Sequence, residues 1–146
     1  MAAKTTNSGQ YANNLLLLIF NATTFANVAK NDTGTPLTDL YVSLHTSSPG
    51  ATGSQNTNEA AYTSYARTAV VRTSVGWTVT ANSVSPASTI IFVTSTGGTE
   101  TETYAGIGSD STGAGNLFYF GPITPNIAVV TGVTPELTTS STVTET

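Results

Sequence analysis

Glu100 and Glu102 stand two residues apart in a chain that carries few ionisable groups, and paired carboxylates about 5 to 10 Å apart are the chemistry of glycoside hydrolysis. On an extended strand, residues two apart face the same side at about 7 Å, so the spacing suits that chemistry. Glu59 and Asp110 complete the set of candidate acids. The stretch from Ser95 to Thr103 nevertheless has the composition of a polar turn leading into a strand, and the expected state of these groups is that of solvated surface carboxylates. A nucleophilic triad would have to use His45, the only histidine, and no nucleophile-elbow pattern accompanies it. The expectation for His45 is an ordinary surface or interface residue on an alternating strand. The chain has no cysteine, which excludes disulfides, thiolate metal ligands and Cys nucleophiles.

Two oxygen-rich stretches, Asn31-Asp32-Thr33-Gly34-Thr35 and Gly108-Ser109-Asp110-Ser111-Thr112-Gly113, resemble cation loops in composition but lack the several carboxylates that calcium takes. Both are expected to be turns. Asn21-Ala22-Thr23 and Asn31-Asp32-Thr33 fit the glycosylation sequon, a match that chance supplies readily in a chain so rich in threonine. No catalytic residue, cofactor or metal is expected.

The elements that must position these residues follow from patterning. About a third of the chain is Ser or Thr and only 8% is charged, and the hydroxyl residues alternate with Val, Ile, Leu, Phe and Tyr. Such a chain makes sheets whose outer faces carry hydroxyls in place of charges. The length of 146 residues suits a single domain covering residues 1–146. Four basic against eight acidic residues leave a net charge of −4, which argues against binding a phosphate backbone. The run Leu15 to Phe20 is far too short to span a bilayer, and one basic residue ahead of it makes a poor signal peptide. Neither nucleic acid nor membrane is an expected partner.

A short helix is expected over about residues 9–20, with Ser8 as a capping residue type and Tyr11, Leu15 and Leu18 on one stripe beside Leu16 and Ile19. From Leu37 onward the expectation is all-β: an antiparallel β-sandwich or jelly roll over about residues 37–146. Leu40, Val42 and Leu44 alternate with polar neighbours in the first strand, and residues 51–61 have the composition of a long surface loop. Seven further strands are expected at about residues 62–73, 76–81, 89–94, 102–108, 116–120, 126–130 and 137–143. Ser85-Pro86, Gly97-Gly98, Gly113-Ala114-Gly115, Gly121-Pro122 and Thr134-Pro135 read as the turns between them.

Trp77 and Leu117-Phe118-Tyr119-Phe120 are first of all core formers, while Tyr62, Tyr65 and Tyr104, if exposed, could form a carbohydrate platform. Arg67 and Arg72, five apart on one expected strand, point to opposite sides, so one is expected to be paired and the other to face water. Tyr11, Leu15, Leu18, Tyr65 and Arg67 are the expected contact residues of an interface.

The run Leu40-Tyr41-Val42-Ser43-Leu44-His45-Thr46-Ser47-Ser48-Pro49 is similar to the "YVALHTADP" segment of small tailed-bacteriophage virion proteins often labelled tail fibre proteins. Tyr62-Thr63-Ser64-Tyr65-Ala66-Arg67, Gly76-Trp77, Ala105-Gly106-Ile107-Gly108, Gly115-Asn116-Leu117-Phe118-Tyr119 and the Thr-Val-Thr-Glu close follow in the same order. The resemblance runs from about residue 10 to the end and implies a virion structural protein. A fibre shaft needs a long repeat or a coiled coil, and the sequence shows neither. The expectation is therefore a capsid decoration (cement) protein on the outer capsid surface. It would bind the major capsid protein or other virion proteins as a homodimer or homotrimer. The alternative is a small tail, collar, baseplate or fibre component with a receptor- or glycan-binding role. A hydroxyl-rich, charge-poor sheet favours adhesion, because it can dry against a partner without desolvating many charges.

Overall fold

A computed structural model of the chain describes residues 8–25 and 34–145, with side chains of the N-terminal helix described from Ala12 onward. The fold class is all-β with antiparallel pairing and one short helix. The elements are α1 (Ser8–Asn21), β1 (Asp39–His45), β2 (Thr68–Val71), β3 (Trp77–Thr80), β4 (Ser83–Pro86), β5 (Ile90–Ile91), β6 (Glu100–Gly108), β7 (Leu117–Val129), β8 (Glu136–Leu137) and β9 (Val143–Thr144). Among the described residues, no helix is long and apolar enough to cross a membrane.

The chain's contacts fall into two compact units. One holds α1, Val71–Thr89 and the closing residues from Thr138; the other holds Asp39–Val70 and Ile90–Leu137.

In the first unit, α1 packs on β3 and β4, and the sheet order is β3-β4-β9. Ala12, Leu16 and Phe20 recur every four residues and are its buried positions, while Leu15 and Leu18 are half-buried. The packed stripe thus lies one position beyond the expected one, because small Ala12 permits close approach and Phe20 meets Trp77 edge to face, ring centroids 4.8 Å apart. Tyr11 falls outside the described side chains. The helix ends at Asn21, and Ala22 after it, with φ of 53°, turns the chain so that the Thr23 amide bonds the Leu17 carbonyl at 3.0 Å. The Leu18 and Ile19 carbonyls, orphaned at a helix end, accept instead from the guanidinium of Arg72, which also donates to the Leu37 carbonyl at 3.1 Å. One of Arg67 and Arg72 was expected to face water, but both are bonded inside the protein, and Arg72 serves as a cap delivered from a distant segment. A cation at a helix C-terminus also complements the dipole.

The second unit carries the longer sheet, ordered β2-β1-β6-β7. β1 and β6 pair antiparallel from Tyr41 opposite Gly108 to His45 opposite Tyr104, and β6 and β7 pair antiparallel from Glu100 opposite Val129 to Gly108 opposite Leu117. Leu40, Val42 and Leu44 line one side of β1 and are buried with Tyr62, Ile90, Phe92, Val129 and Leu137. β5 and β8 form a small antiparallel pair through Ile90 opposite Leu137.

Several expected elements differ. The segment expected as one strand over residues 62–73 is strand only at β2. Ser85-Pro86, expected as a turn, closes β4, where Pro86 lies opposite Trp77 and β9 reaches only Ser83 and Val84. The two strands expected around Gly121-Pro122 are one element, β7, because an edge strand tolerates proline. Its ladder is interrupted: Glu102 faces Ile127 while Tyr104 faces Pro122, so Ile123 to Asn126 bulge out of register.

Candidate functional site

The expected site residues of the second unit converge on a polar strap. Residues 46–61 leave β1 and return so that the Thr46 amide bonds the Asn58 carbonyl at 2.9 Å and the Ala60 amide bonds the Leu44 carbonyl at 2.9 Å. The strap covers one face of β1, where Ser43 and His45 lie fully buried. His45 was expected at a surface or an interface. Instead its Nδ1 meets the Thr57 carbonyl at 2.9 Å and its Nε2 meets Ser43 Oγ at 2.9 Å. A carbonyl can only accept, so Nδ1 carries the proton and the neutral ring accepts the Ser43 hydroxyl at Nε2. Burial holds the His45 pKa below its ordinary value, outweighing the raising effects of the Thr57 carbonyl and Glu59.

Glu59 sits where the strap rejoins the sheet and binds Arg67 through both carboxylate oxygens, Nε to Oε1 at 2.6 Å and Nη2 to Oε2 at 2.7 Å. This fork-to-fork geometry is the strong form of an arginine–carboxylate pair. Arg67 spends its remaining donors on the carbonyls of Asp110, 2.8 Å, and Gly113, 2.6 Å, fixing the β6–β7 turn. Bonding to Glu59 raises the already high pKa of the guanidinium. The Tyr65 hydroxyl donates to Glu59 Oε1 at 3.0 Å and accepts the Leu44 amide at 3.0 Å, and burial pushes its ionisation far upward. Both Tyr65 and Arg67 are thus bonded within their own unit.

Gln55 joins the strap to the same turn. Its amide bonds the Ala114 carbonyl at 2.7 Å, its Oε1 accepts the Asp110 amide at 2.9 Å, and its side chain is fully buried in a stretch expected to be surface loop. A Cβ on Gly108 or Gly115 would lie 2.2 Å from Gln55 atoms, and Gly115 also has φ of 52°. Those two glycines make room for the glutamine. The Asp110 carboxylate accepts the Ser109 hydroxyl, so the stretch 108–113 works as a braced turn. The other oxygen-rich stretch lies largely outside the described residues.

The acidic pair behaves differently from a solvated one. Glu100 Oε1 accepts the amides of Ala61, 2.9 Å, and Tyr62, 2.8 Å. Glu102 is fully buried, and neither of its carboxylate oxygens has a hydrogen-bond partner. Burial, with the neighbouring Glu100 adding to it, raises the Glu102 pKa to about 8. Such a carboxyl is mostly protonated at neutral pH. The pair is therefore split into an anion that anchors backbone and an acid sealed in the interior. Tyr62 is buried too, its hydroxyl on the Val93 carbonyl at 2.9 Å and its pKa pushed up to about 12 by desolvation. With Tyr62 inside and the Tyr65 hydroxyl committed, the expected tyrosine platform does not form.

The aromatic run after the turn reverses expectation in the other direction. Phe118 and Phe120, expected as core, are 41% and 40% exposed on β7, with Tyr104 tilted against Phe120 at 6.5 Å. Trp77, by contrast, is buried as expected. Gly106 and Gly108 on a strand are the sequence signal that could have revealed the strap, since glycine inside a strand marks close approach of another group.

Among the described residues no cluster of three or more metal-ligating side chains occurs. No curated protein matches the chain. Residues 7–145 match the family described as Podophage GP4 fiber I protein gp80, in agreement with the phage resemblance of the strap-bearing strand and the segments that follow it. The chain belongs to that family, and with it to the structural proteins of the phage virion.

Proposed function

We propose that this protein is a non-enzymatic adhesion module of the virion that works as a homo-oligomer docked on larger virion proteins. The observation that carries this is the family match over residues 7–145. The fate of the acids supports it: Glu59 is spent on Arg67, Glu100 on backbone amides, Asp110 on its own turn, and Glu102 is sealed away. Glycoside hydrolysis needs two carboxyls facing one substrate, and these four are engaged in other work.

The family's description, a fibre protein, supports a place in a fibre apparatus of the particle. A second reading, a decoration protein on the major capsid protein, is supported by the described residues, which hold one helix of 14 residues and no long helix of the kind a coiled-coil shaft needs. Imaging intact particles at high resolution distinguishes the two: density for this chain at the tail supports the fibre reading, density over the capsid lattice supports decoration, and absence from particles refutes both. Retention on particles should change little between about 0.1 and about 1 M salt, over which the Debye length falls from about 10 to about 3 Å. Release at moderate salt would point to a charge-led contact instead.

A further inference from the structure

The strap over residues 46–61 is fastened almost entirely by polar groups. Within it Pro49, Gln55 and Ala60 are the buried residues, so little apolar surface holds it down. Its Thr57 carbonyl takes the His45 Nδ1 proton at 2.9 Å, and its Glu59 carboxylate holds Arg67 at 2.6 and 2.7 Å. At its end the amides of Ala61 and Tyr62 donate to the Glu100 carboxylate at 2.9 and 2.8 Å. Segments with few buried apolar contacts are the ones that open locally ahead of the whole fold.

Acid acts on the same ties. His45 and Glu59 are bridged where the strap meets β1, and Glu59 and Arg67 act on the His45 ring in opposite senses. With His45 neutral and Glu59 ionised, the charges of His45, Glu59 and Arg67 balance. Protonating both His45 and Glu59 leaves two cations and no anion beneath the strap, where His45 is fully buried and Arg67 is 9% exposed. Buried like charges without a counter-ion are costly, and opening the strap returns them to water.

The other ionisable groups that face this spot do not restore the balance. Tyr65, bonded to Glu59, and Tyr104, opposite His45 on β6, are phenols and carry no charge in acid. Glu102, on the same side of β6 as Tyr104, is already mostly protonated at neutral pH. Asp110 meets Arg67 through its backbone carbonyl, while its carboxylate takes the Ser109 hydroxyl. Glu100 loses its charge on protonation and with it the strong form of its hold on Ala61 and Tyr62.

The geometry points to an acid-released strap: residues 46–61 detach as one unit when His45 and Glu59 take up protons, while β1, β6 and β7 stay paired. Gln55 leaves its seat beside Gly108 and Gly115 in the same step and releases the Asp110 amide. Burial holds the His45 pKa below 6.5, so the strap's hold is complete above 6.5 and declines as pH falls toward the folded-state value. This device is separate from the adhesion role, and its test needs no particle.

Amide hydrogen exchange of the full chain, followed by NMR from pH 7 to pH 4 with intrinsic rates divided out, tests it. The amides of Thr46, Gln55 and Ala60, bonded to the carbonyls of Asn58, Ala114 and Leu44, report the strap, and those paired between β1 and β6 report the sheet. Opening at the three strap amides should rise together, about tenfold for each pH unit below 6.5 until the folded-state value of His45 is reached, with the sheet amides unchanged. His45→Gln cannot take up the proton and should remove the rise that begins at 6.5. If that variant does not fold, the unaltered chain still decides, because strap and sheet are compared within it. Strap protection that stays flat down to pH 4, strap and sheet amides that fall together, or an unchanged rise in His45→Gln overturns the inference.

Discussion

Replacing Glu102 by Gln should abolish a pH dependence of stability that the unaltered protein must carry. The folded-state pKa of about 8 stands above the ordinary value of 4.5, so between these values the folded chain holds a proton that the unfolded chain has released. Stability from this group is therefore complete below pH 4.5, declines as pH rises, and reaches its minimum above about pH 8. At about 1.4 kcal/mol per pH unit, the interval gives an upper bound of about 5 kcal/mol, which water entry and relaxation reduce to about 2–3 kcal/mol. Glutamine keeps the shape and cannot ionise. Its absolute cost, from an amide with no partner, is the same at every pH and drops out of the comparison. Urea unfolding from pH 4 to pH 9, followed by circular dichroism, should show the midpoint of the unaltered protein falling relative to that of the variant. Amide exchange in β6 and residues 59–62 should quicken above pH 8 in the unaltered chain alone, once expected intrinsic rates are divided out, because an ionised Glu102 repels the Glu100 that anchors Ala61 and Tyr62. Parallel pH profiles for the two proteins would refute the argument and mean that Glu102 is an ordinary ionised carboxylate.

Arg67→Lys retains the charge but loses the fork, leaving Glu59 half-paired and the carbonyls of Asp110 and Gly113 without their donor; a loss of about 2–4 kcal/mol is expected in urea unfolding, with faster exchange in residues 46–61 and 109–116. Gly106→Ala places a Cβ 2.7 Å from both His45 Nε2 and Leu117 Cδ1 and 2.8 Å from Ser43 Oγ, and the overpacking should cost about 1–3 kcal/mol, read as a lowered thermal midpoint. His45, the only histidine, should titrate below 6.5 in a nitrogen-correlated NMR spectrum and show the Nδ1–H tautomer while neutral. The stability it contributes is present above 6.5 and is lost as pH falls through its folded value; a midpoint above 6.5 would refute the buried neutral ring.

The parts of the fold that were legible in sequence rest on strong local periodicity. Alternation through Leu40, Val42 and Leu44 marks β1, and the leucine run bounded by polar residues marks α1 within about one residue at each end. Misplaced elements failed where tertiary context overrode a local signal. Pro86 and Pro122 are turn formers by composition, yet each fits a strand position where no neighbour needs its missing amide. Residues 51–61 are polar enough for a surface loop, but Gln55 and Glu59 spend that polarity inward. Composition reports how polar a segment is and not which way it faces. Phe118 and Phe120 fail for the same reason in reverse, since an aromatic pair that belongs in a core by type lies on a strand whose one buried side chain is Val129.

That inversion bears on how the protein meets its surroundings. Ionic groups are scarce, and among the described residues most are withdrawn from the surface: Arg67 and Glu59 bind each other, Arg72 closes a helix, Glu100 holds an amide pair and Glu102 is sealed. Asp110 and Glu136 are the charged side chains that remain well exposed among those residues. Charge in this chain brackets loops onto sheets, where a short polar segment has too little apolar surface to hold itself down. Among the described residues the rest of the exposed surface is mostly hydroxyls and single apolar side chains such as Val75, Ile91, Phe118 and Phe120. A partner approaching it loses few ion–water contacts, so contact strength depends on fit and area more than on ionic conditions. A reaction site needs the opposite division, with ionisable groups converging where substrate can reach them. In this molecule the groups able to do chemistry have become the fasteners that hold loops onto sheets.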